Sequence, residues 1–368
     1  MPHKKSNREG GSIMKRGRVF VVILTLLMLC SSFAFAGTGA EKKAEGDFVI
    51  GISNSLYGNI WREKMLESMA IVADFYIEKG MLKDTIVQQS GPDVQTQIQQ
   101  IRNMISQGVD MILINPASAT GLTGVIEEAN DAGIPSIVFD AELLGDDRKI
   151  ALSVATDKFI ETYRSQKYLA ERMGGKGNVV VVLGNAAYQP SQKRYEGTKA
   201  VLKEFPGLKE LTVVYGEWNQ ATAEAVMNDV VATYPKIDAI FTTGAMGMGA
   251  LRAFINAGRP LPAISGDPTV EGMLFEKKLI DQGKKHLFAN PLNPPGIGGT
   301  ALAIGVYLLH GYEFKDGMLE NNVFYYPLKT DYISRENLDE FLKKYEGQDP
   351  SIWISEWADD ATVRSYFK

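Results

Sequence analysis

Val179-Val180-Val181-Val182-Leu183 is an unbroken apolar run, closed by Gly184 and Asn185. A strand with one wet face alternates apolar and polar residues. Five apolar residues in succession need cover on both faces, which is the habit of a parallel sheet packed between helices. Similar short runs recur at Phe48–Ile52, Met111–Ile114, Ser136–Phe139, Leu211–Val214, Ala239–Phe241 and Ala263–Ile264. Between them the spacing turns helical: Trp61, Met65, Met69, Val72 and Tyr76 share one face, as do Ile98, Ile101 and Ile105. Gly108, Gly133 and Gly258 stand where such stretches end, a natural place for a left-handed cap. Repeated β-α units imply right-handed crossovers and doubly wound sheets. At 368 residues the chain exceeds one compact core. We therefore expect an α/β protein of two lobes, each a doubly wound parallel sheet.

The N-terminus reads differently. Lys15, Arg16 and Arg18 precede an apolar run from Val19 to Leu29, and Ala34-Phe35-Ala36 follows. A basic start, a short apolar core and an Ala-x-Ala site make a secretory signal peptide over residues 1–36. The run falls short of the roughly 20 apolar residues a membrane-spanning helix needs. Leu29 precedes Cys30, where a lipid-modified cysteine normally follows a small residue, so lipid anchoring is not expected. Cys30 is the only cysteine, so a chain cleaved after Ala36 has no disulfide and no thiol chemistry. Residues 1–36 carry six Lys/Arg and one Asp/Glu; the remainder holds 33 basic and 43 acidic residues, a formal charge of −10. Such a surface repels phosphate backbones, which argues against nucleic acid as a partner. A charged linker over 37–46 precedes the lobes, expected at 47–155 plus 293–323 and at 156–292 plus 324–368. The tail, with Trp353 and Trp357, is expected to pack across the lobes.

In open α/β sheets ligands sit beyond the carboxyl ends of the strands. Ser53 and Asn54 close the first run, Asn115 the second and Asp140 the third. Asn185, Thr242 with Thr243, and Asp267 follow the later ones. A carboxylate can accept from two neighbouring hydroxyls, and an amide both donates and accepts, so the set suits a polyol. Each residue alone is equally at home as a helix cap. Tyr57, Trp61 and Trp218 lie just past strands and supply flat rings for the apolar faces of a sugar, although Trp61 also begins the core face of its helix. Asn59 belongs to the same first loop, and Arg62 and Arg194 offer fork-shaped donors.

Reaction chemistry finds little support. There is no phosphate loop of the Gly-x-x-x-x-Gly-Lys-Ser/Thr type and no Gly-x-Ser-x-Gly elbow. The glycines of Gly244–Gly249 miss the dinucleotide spacing. His3, His286 and His310 are the only histidines, which leaves little for a metal cluster or a histidine triad. Neither metal nor cofactor is expected. An acid–base pair of Asp140 and Asp267 is the one enzymatic alternative.

Ile112-Leu113-Ile114-Asn115-Pro116, Ile134–Asp140, Gly249–Ala253 and Gly266-Asp267-Pro268, in that order and spacing, resemble periplasmic sugar-binding proteins of the ribose- and galactose-binding type. The resemblance spans Asp47 to about Tyr326. It implies a type I periplasmic binding protein fold, two Rossmann-like doubly wound lobes joined at a hinge by three crossings, with a ligand in the cleft and delivery to an ABC-type permease with its ATPase. It also implies a monomer. By resemblance the first-loop aromatic falls near Trp61 and the first-lobe amide on Asn115. Asp140 and Asp267 become the carboxylates that clamp hydroxyls, with Arg194 and Trp218 the second-lobe arginine and aromatic. Ala141 stands where that type often has arginine, and Gly244 where it has an amide. The Asn59-Ile60-Trp61-Arg62 loop is similar to a different branch. A repressor's sensing core shares the fold but lacks an export signal; a chemoreceptor module is a further alternative.

Overall fold

The computed structural model describes residues 46–368, apart from 145–148, 187, 243, 351, 355 and 356. The export segment, most of the linker, His3, Cys30 and Thr243 lie outside the described residues. The described residues belong to one compact unit.

The first lobe begins β1 (Val49–Asn54), α1 (Ile60–Glu78), β2 (Asp84–Gln89) and α2 (Val94–Gln107). It continues β3 (Met111–Asn115), α3 (Thr123–Asp131), β4 (Ser136–Phe139) and β5 (Leu152–Ala155). The second lobe runs α4 (Lys158–Arg172), β6 (Lys176–Leu183), α5 (Gln189–Glu204), β7 (Gly207–Tyr215) and α6 (Gln220–Thr233). It ends β8 (Ala239–Thr242), α7 (Gly247–Asn256), β9 (Ala263–Ser265), α8 (Val270–Asp281) and β10 (Asn290–Pro291). The chain then adds α9 (Ile297–Leu309), β11 (Val323–Tyr325), β12 (Tyr332–Ile333), α10 (Leu338–Lys344) and α11 (Asp360–Arg364).

Two parallel sheets result, ordered β11-β5-β4-β3-β1-β2 and β7-β6-β8-β9. The continuous apolar runs now have a cause. In β6, Val180 and Val182 enter one core while Val179, Val181 and Leu183 enter another on the opposite face. In β3, Met111 and Leu113 face one core and Ile112 and Ile114 the other. Strands covered on both sides have no position left for a polar residue. The five residues expected on the inner face of α1 are all buried. Gly108, Gly133 and Gly258 adopt φ of 69, 78 and 66°, as expected of helix ends.

The tail departs from the expected division. β11 pairs with β5 in the first sheet, so residues 324 and 325 do not belong to the second lobe. β12 then pairs with β10, and the Ile352 carbonyl and Ile354 N–H bond to Val270 and Pro268 of the second lobe. Beyond Ile354 the chain returns. Ala358, Val363, Tyr366 and Phe367 join the first lobe's core, and the Asp360 carboxylate accepts from Tyr76 and Tyr307 at 2.8 and 2.9 Å. The lobes are thus linked four times rather than three: after β5, before α9, after β11 and after Ile354. The fourth crossing rests on aromatic surface that only the packed first lobe exposes.

Candidate functional site

One cavity lies where the carboxyl ends of both sheets meet the crossings. Asn59, Trp61, Arg62, Asn115 and Asp140 line it from the first lobe, and Arg194 and Trp218 from the second. Seven of the ten residues singled out in the sequence therefore converge.

The first-lobe wall is built by caps. Asn59 is extended (φ −131°) and its Oδ1 accepts from Arg62 N at 2.9 Å, starting α1 so that Trp61 and Arg62 enter the cavity. Trp61 serves both roles proposed for it: it joins the core with Met65 and Met69 and also lines the cavity. Its indole donates to the Asn293 carbonyl at 2.7 Å. Burial lowers the pKa of Arg62 while the Asp140 charge opposes that shift; Nη2 lies 3.7 Å from Asp140 Oδ2. Asn115 joins three strand ends, its Oδ1 accepting from Ser55 at 3.0 Å and its amide donating to the Phe139 carbonyl at 3.1 Å.

Asp140 has φ +63°, a left-handed conformation uncommon outside glycine. It is buried against Lys158, whose Nζ lies 3.1 Å from Oδ1. Burial alone would raise its pKa, but the charges of Lys158, Arg62 and Arg194 hold it below the ordinary carboxylate value. Lys158 was not foreseen. It is 2% exposed and also donates to Thr156 at 2.6 Å and to Asn293 Oδ1 at 2.5 Å. The signal was weak, since a lysine at the first turn of a helix usually reaches solvent.

The second-lobe wall starts at α5, where Tyr188 makes no side-chain cap. Tyr188, Gln189 and Pro190 line the cavity beside Arg194. The Tyr188 hydroxyl, both Gln189 amide atoms and Arg194 Nε are buried without a protein partner. Arg194 Nη2 comes no closer than 4.0 Å to Glu161. Trp218 follows Glu217, with φ of 51 and 52°, and meets Tyr188 edge-on at 5.5 Å. Gly184 and Gly244 make room for it: a Cβ there would fall 2.0 and 2.8 Å from the indole. The absence of an amide at Gly244 is therefore what admits this ring. Asn293 and Trp353, on the second crossing and the tail, complete the lining; both indoles donate to the Asn293 carbonyl, Trp353 at 3.1 Å.

Three expected contacts are not brought to the cavity. Asp267 is buried with its carboxylate on the N–H groups of Met246, Gly247 and Met248 at 3.0, 2.9 and 3.3 Å. Burial pushes it up to about 7, while those three donors pull it back. An unfilled helix N-terminus lies nearer to it than the cleft, and takes it. Asn54 donates to the Leu56 carbonyl of its own loop at 2.5 Å and to Gln89 Oε1 at the end of β2 at 3.4 Å. Tyr57 is 66% exposed, outside the lining. Asn185 and Thr242 are likewise off the lining: the Asn185 amide donates to Glu217, and the Thr242 main-chain N–H donates to Ser265. Among the described residues no group of His, Cys, Asp and Glu has metal-binding geometry. No described helix is long and apolar enough to cross a membrane.

Residues 50–313 match the family model described as a periplasmic binding protein domain. The chain is 32% identical to the xylitol-binding protein of Mycolicibacterium smegmatis over 184 residues, 49% of this chain and 52% of that protein, and so spans about half its length. It is 24% identical to the ribose import binding protein of Bacillus subtilis over 305 residues, 81% of this chain and 94% of that one. An ABC transporter solute binding protein from Thermobispora bispora has the same fold, with a TM-score of 0.74 at 26% identity, covering 87% of this chain and 94% of that structure.

Proposed function

The chain belongs to the periplasmic binding protein family, and from that premise we propose that it captures a small sugar or polyol between its lobes and delivers it to an ABC-type importer. The observation that carries this reading is the unmatched hydrogen-bonding capacity of the cavity. Tyr188, Gln189 and Arg194 are buried with polar atoms that no protein group satisfies. Leaving such groups unpaired costs about 1–3 kcal/mol each, and a hydroxyl-rich ligand relieves that cost. Trp61, Trp218 and Trp353 supply apolar surface for ring faces.

Binding works by closure. Asn115 and Asp140 belong to one lobe and Arg194 and Trp218 to the other, so a ligand touching both favours the closed form. The importer then distinguishes closed from open by the spacing of the lobe surfaces. The protein acts as a monomer and carries out no reaction. Asp267 lies off the cavity lining, which counts against the Asp140–Asp267 acid–base alternative. Export by cleavage after Ala36 belongs to the same proposal, and intact mass of protein from its native envelope should begin near Gly37.

Two measurements test the core of this. Mass spectrometry of ligand released from purified protein should find a polyhydroxylated molecule. Small-angle scattering should show a smaller radius of gyration once that ligand saturates the protein. An unchanged radius with ligand demonstrably bound would reject closure.

A further inference from the structure

The charges and hydrogen-bond donors around the cavity do not balance. Arg62, Lys158 and Arg194 are set against Asp140 and Glu161, all at most slightly exposed. The pairing is also uneven. Lys158 holds Asp140 at 3.1 Å, while Arg62 reaches only 3.7 Å and Arg194 only 4.0 Å to their carboxylates. Arg62 otherwise meets the Met65 sulfur at 3.6 Å. At full charge, three cations against two carboxylates leave an excess of one. Nearby carboxylates do not correct it. Asp157 caps α4, Glu217 is exposed beside Asn185, Glu142 accepts from Tyr325, and Asp267 serves α7.

Three side-chain amide oxygens on the lining already accept from the protein: Asn59 Oδ1 from Arg62 N, Asn115 Oδ1 from Ser55, Asn293 Oδ1 from Lys158. Asp140 Oδ2 and Gln189 Oε1 remain. Facing them are two guanidinium forks, the Tyr188 hydroxyl and the Gln189 amide. A neutral polyol can accept from these donors, but each of its hydroxyls also brings a proton, for which this wall offers few acceptors. A carboxylate brings acceptors only, and a planar guanidinium grips it in two-point geometry.

We infer that the physiological ligand is a small polyhydroxylated monocarboxylate, a sugar acid whose carboxylate is held by Arg62 and Arg194 while its hydroxyls meet Asp140 and Gln189. One carboxylate matches an excess of one charge; a phosphate monoester carries more and overshoots it. The inference rests on the proposed function, because it assumes that this cavity takes the solute.

Calorimetric titration with matched aldose, alditol, aldonate and uronate series of five and six carbons decides it. The acid of the preferred skeleton should bind about ten- to a hundredfold tighter than its alditol, as expected for a charge-assisted contact. Arg194→Gln weakens every member, and it should weaken the acids about tenfold more than the alditols, so that most of the preference is lost. If Arg194→Gln does not fold, the wild-type series still decides. Neutral members binding as tightly as their acids would overturn the inference and leave the sugar reading intact. Failure of every member, acid and neutral, would sink both.

Discussion

Lys158, the first residue of the second lobe's first helix, donates at 3.1 Å to Asp140 at the end of a first-lobe strand. The same ammonium reaches Thr156 and Asn293, residues of two different crossings. One buried cation therefore joins both lobes and two hinge segments. Removing its carboxylate leaves Lys158 and Arg62 buried without close compensation. Asp140→Ala should lower unfolding free energy by about 3–5 kcal/mol as well as abolish ligand binding. Adding Lys158→Met should restore much of the stability and none of the binding. Urea denaturation measures the first effect and calorimetry the second; a single variant as stable as wild type would refute the coupling.

Asp267 and Arg194 should separate cleanly. Asp267→Ala frees three buried N–H groups at the start of α7, at a cost of about 1–3 kcal/mol in stability. Ligand affinity should change little. Arg194→Ala should weaken binding about ten- to a hundredfold. Equal losses of affinity in the two variants would place Asp267 back in the cleft.

Gly184→Ala puts a methyl into space that Trp218 occupies. The indole must leave its seat against the backbone, with an overpacking penalty of about 1–3 kcal/mol. Weaker ligand binding should accompany altered tryptophan fluorescence. Unchanged fluorescence and affinity would show that Trp218 is not held there.

His286 is buried with Nδ1 2.7 Å from Glu276 and Nε2 2.9 Å from the Pro262 carbonyl. Burial alone would lower its pKa, and the Arg335 charge acts the same way. The Glu276 bond and charge, with the Pro262 bond, outweigh them and raise it above 6.5. A raised folded pKa stabilises fully below the unfolded value and loses that contribution as pH climbs through the folded one. The thermal midpoint of wild type relative to Glu276→Gln should therefore be highest below about pH 6.5 and fall at higher pH. A difference independent of pH would contradict this.

Trp353 is 1% exposed, lines the cavity and sits just before the fourth crossing. Trp353→Ala should cost about 3–5 kcal/mol of stability and also weaken ligand binding. A loss of stability with affinity unchanged would make it a purely structural residue.

What the sequence determined by itself was the architecture and most of the cleft's polar rim. Runs such as Val179–Leu183 admit only a strand covered on both faces, and a residue that closes such a run must lie near the carboxyl edge. Asn115 and Asp140 were legible for that reason, whereas Arg62 and Arg194 were legible as fork-shaped donors, Arg194 also by resemblance. Tertiary structure decided which of these polar groups the fold itself would consume. Asp267 and Asn54 stand at equivalent strand ends, yet a bare helix N-terminus claims one, and the Leu56 carbonyl of the following loop with the Gln89 side chain claims the other. Lys158, Asn293 and Trp353 entered the site because separate crossings bring distant segments together, 135 residues apart for the first two. Local periodicity reports which face of an element is buried. It carries no information about what lies across the gap, and that is where the charges, the donors and the fourth crossing were set.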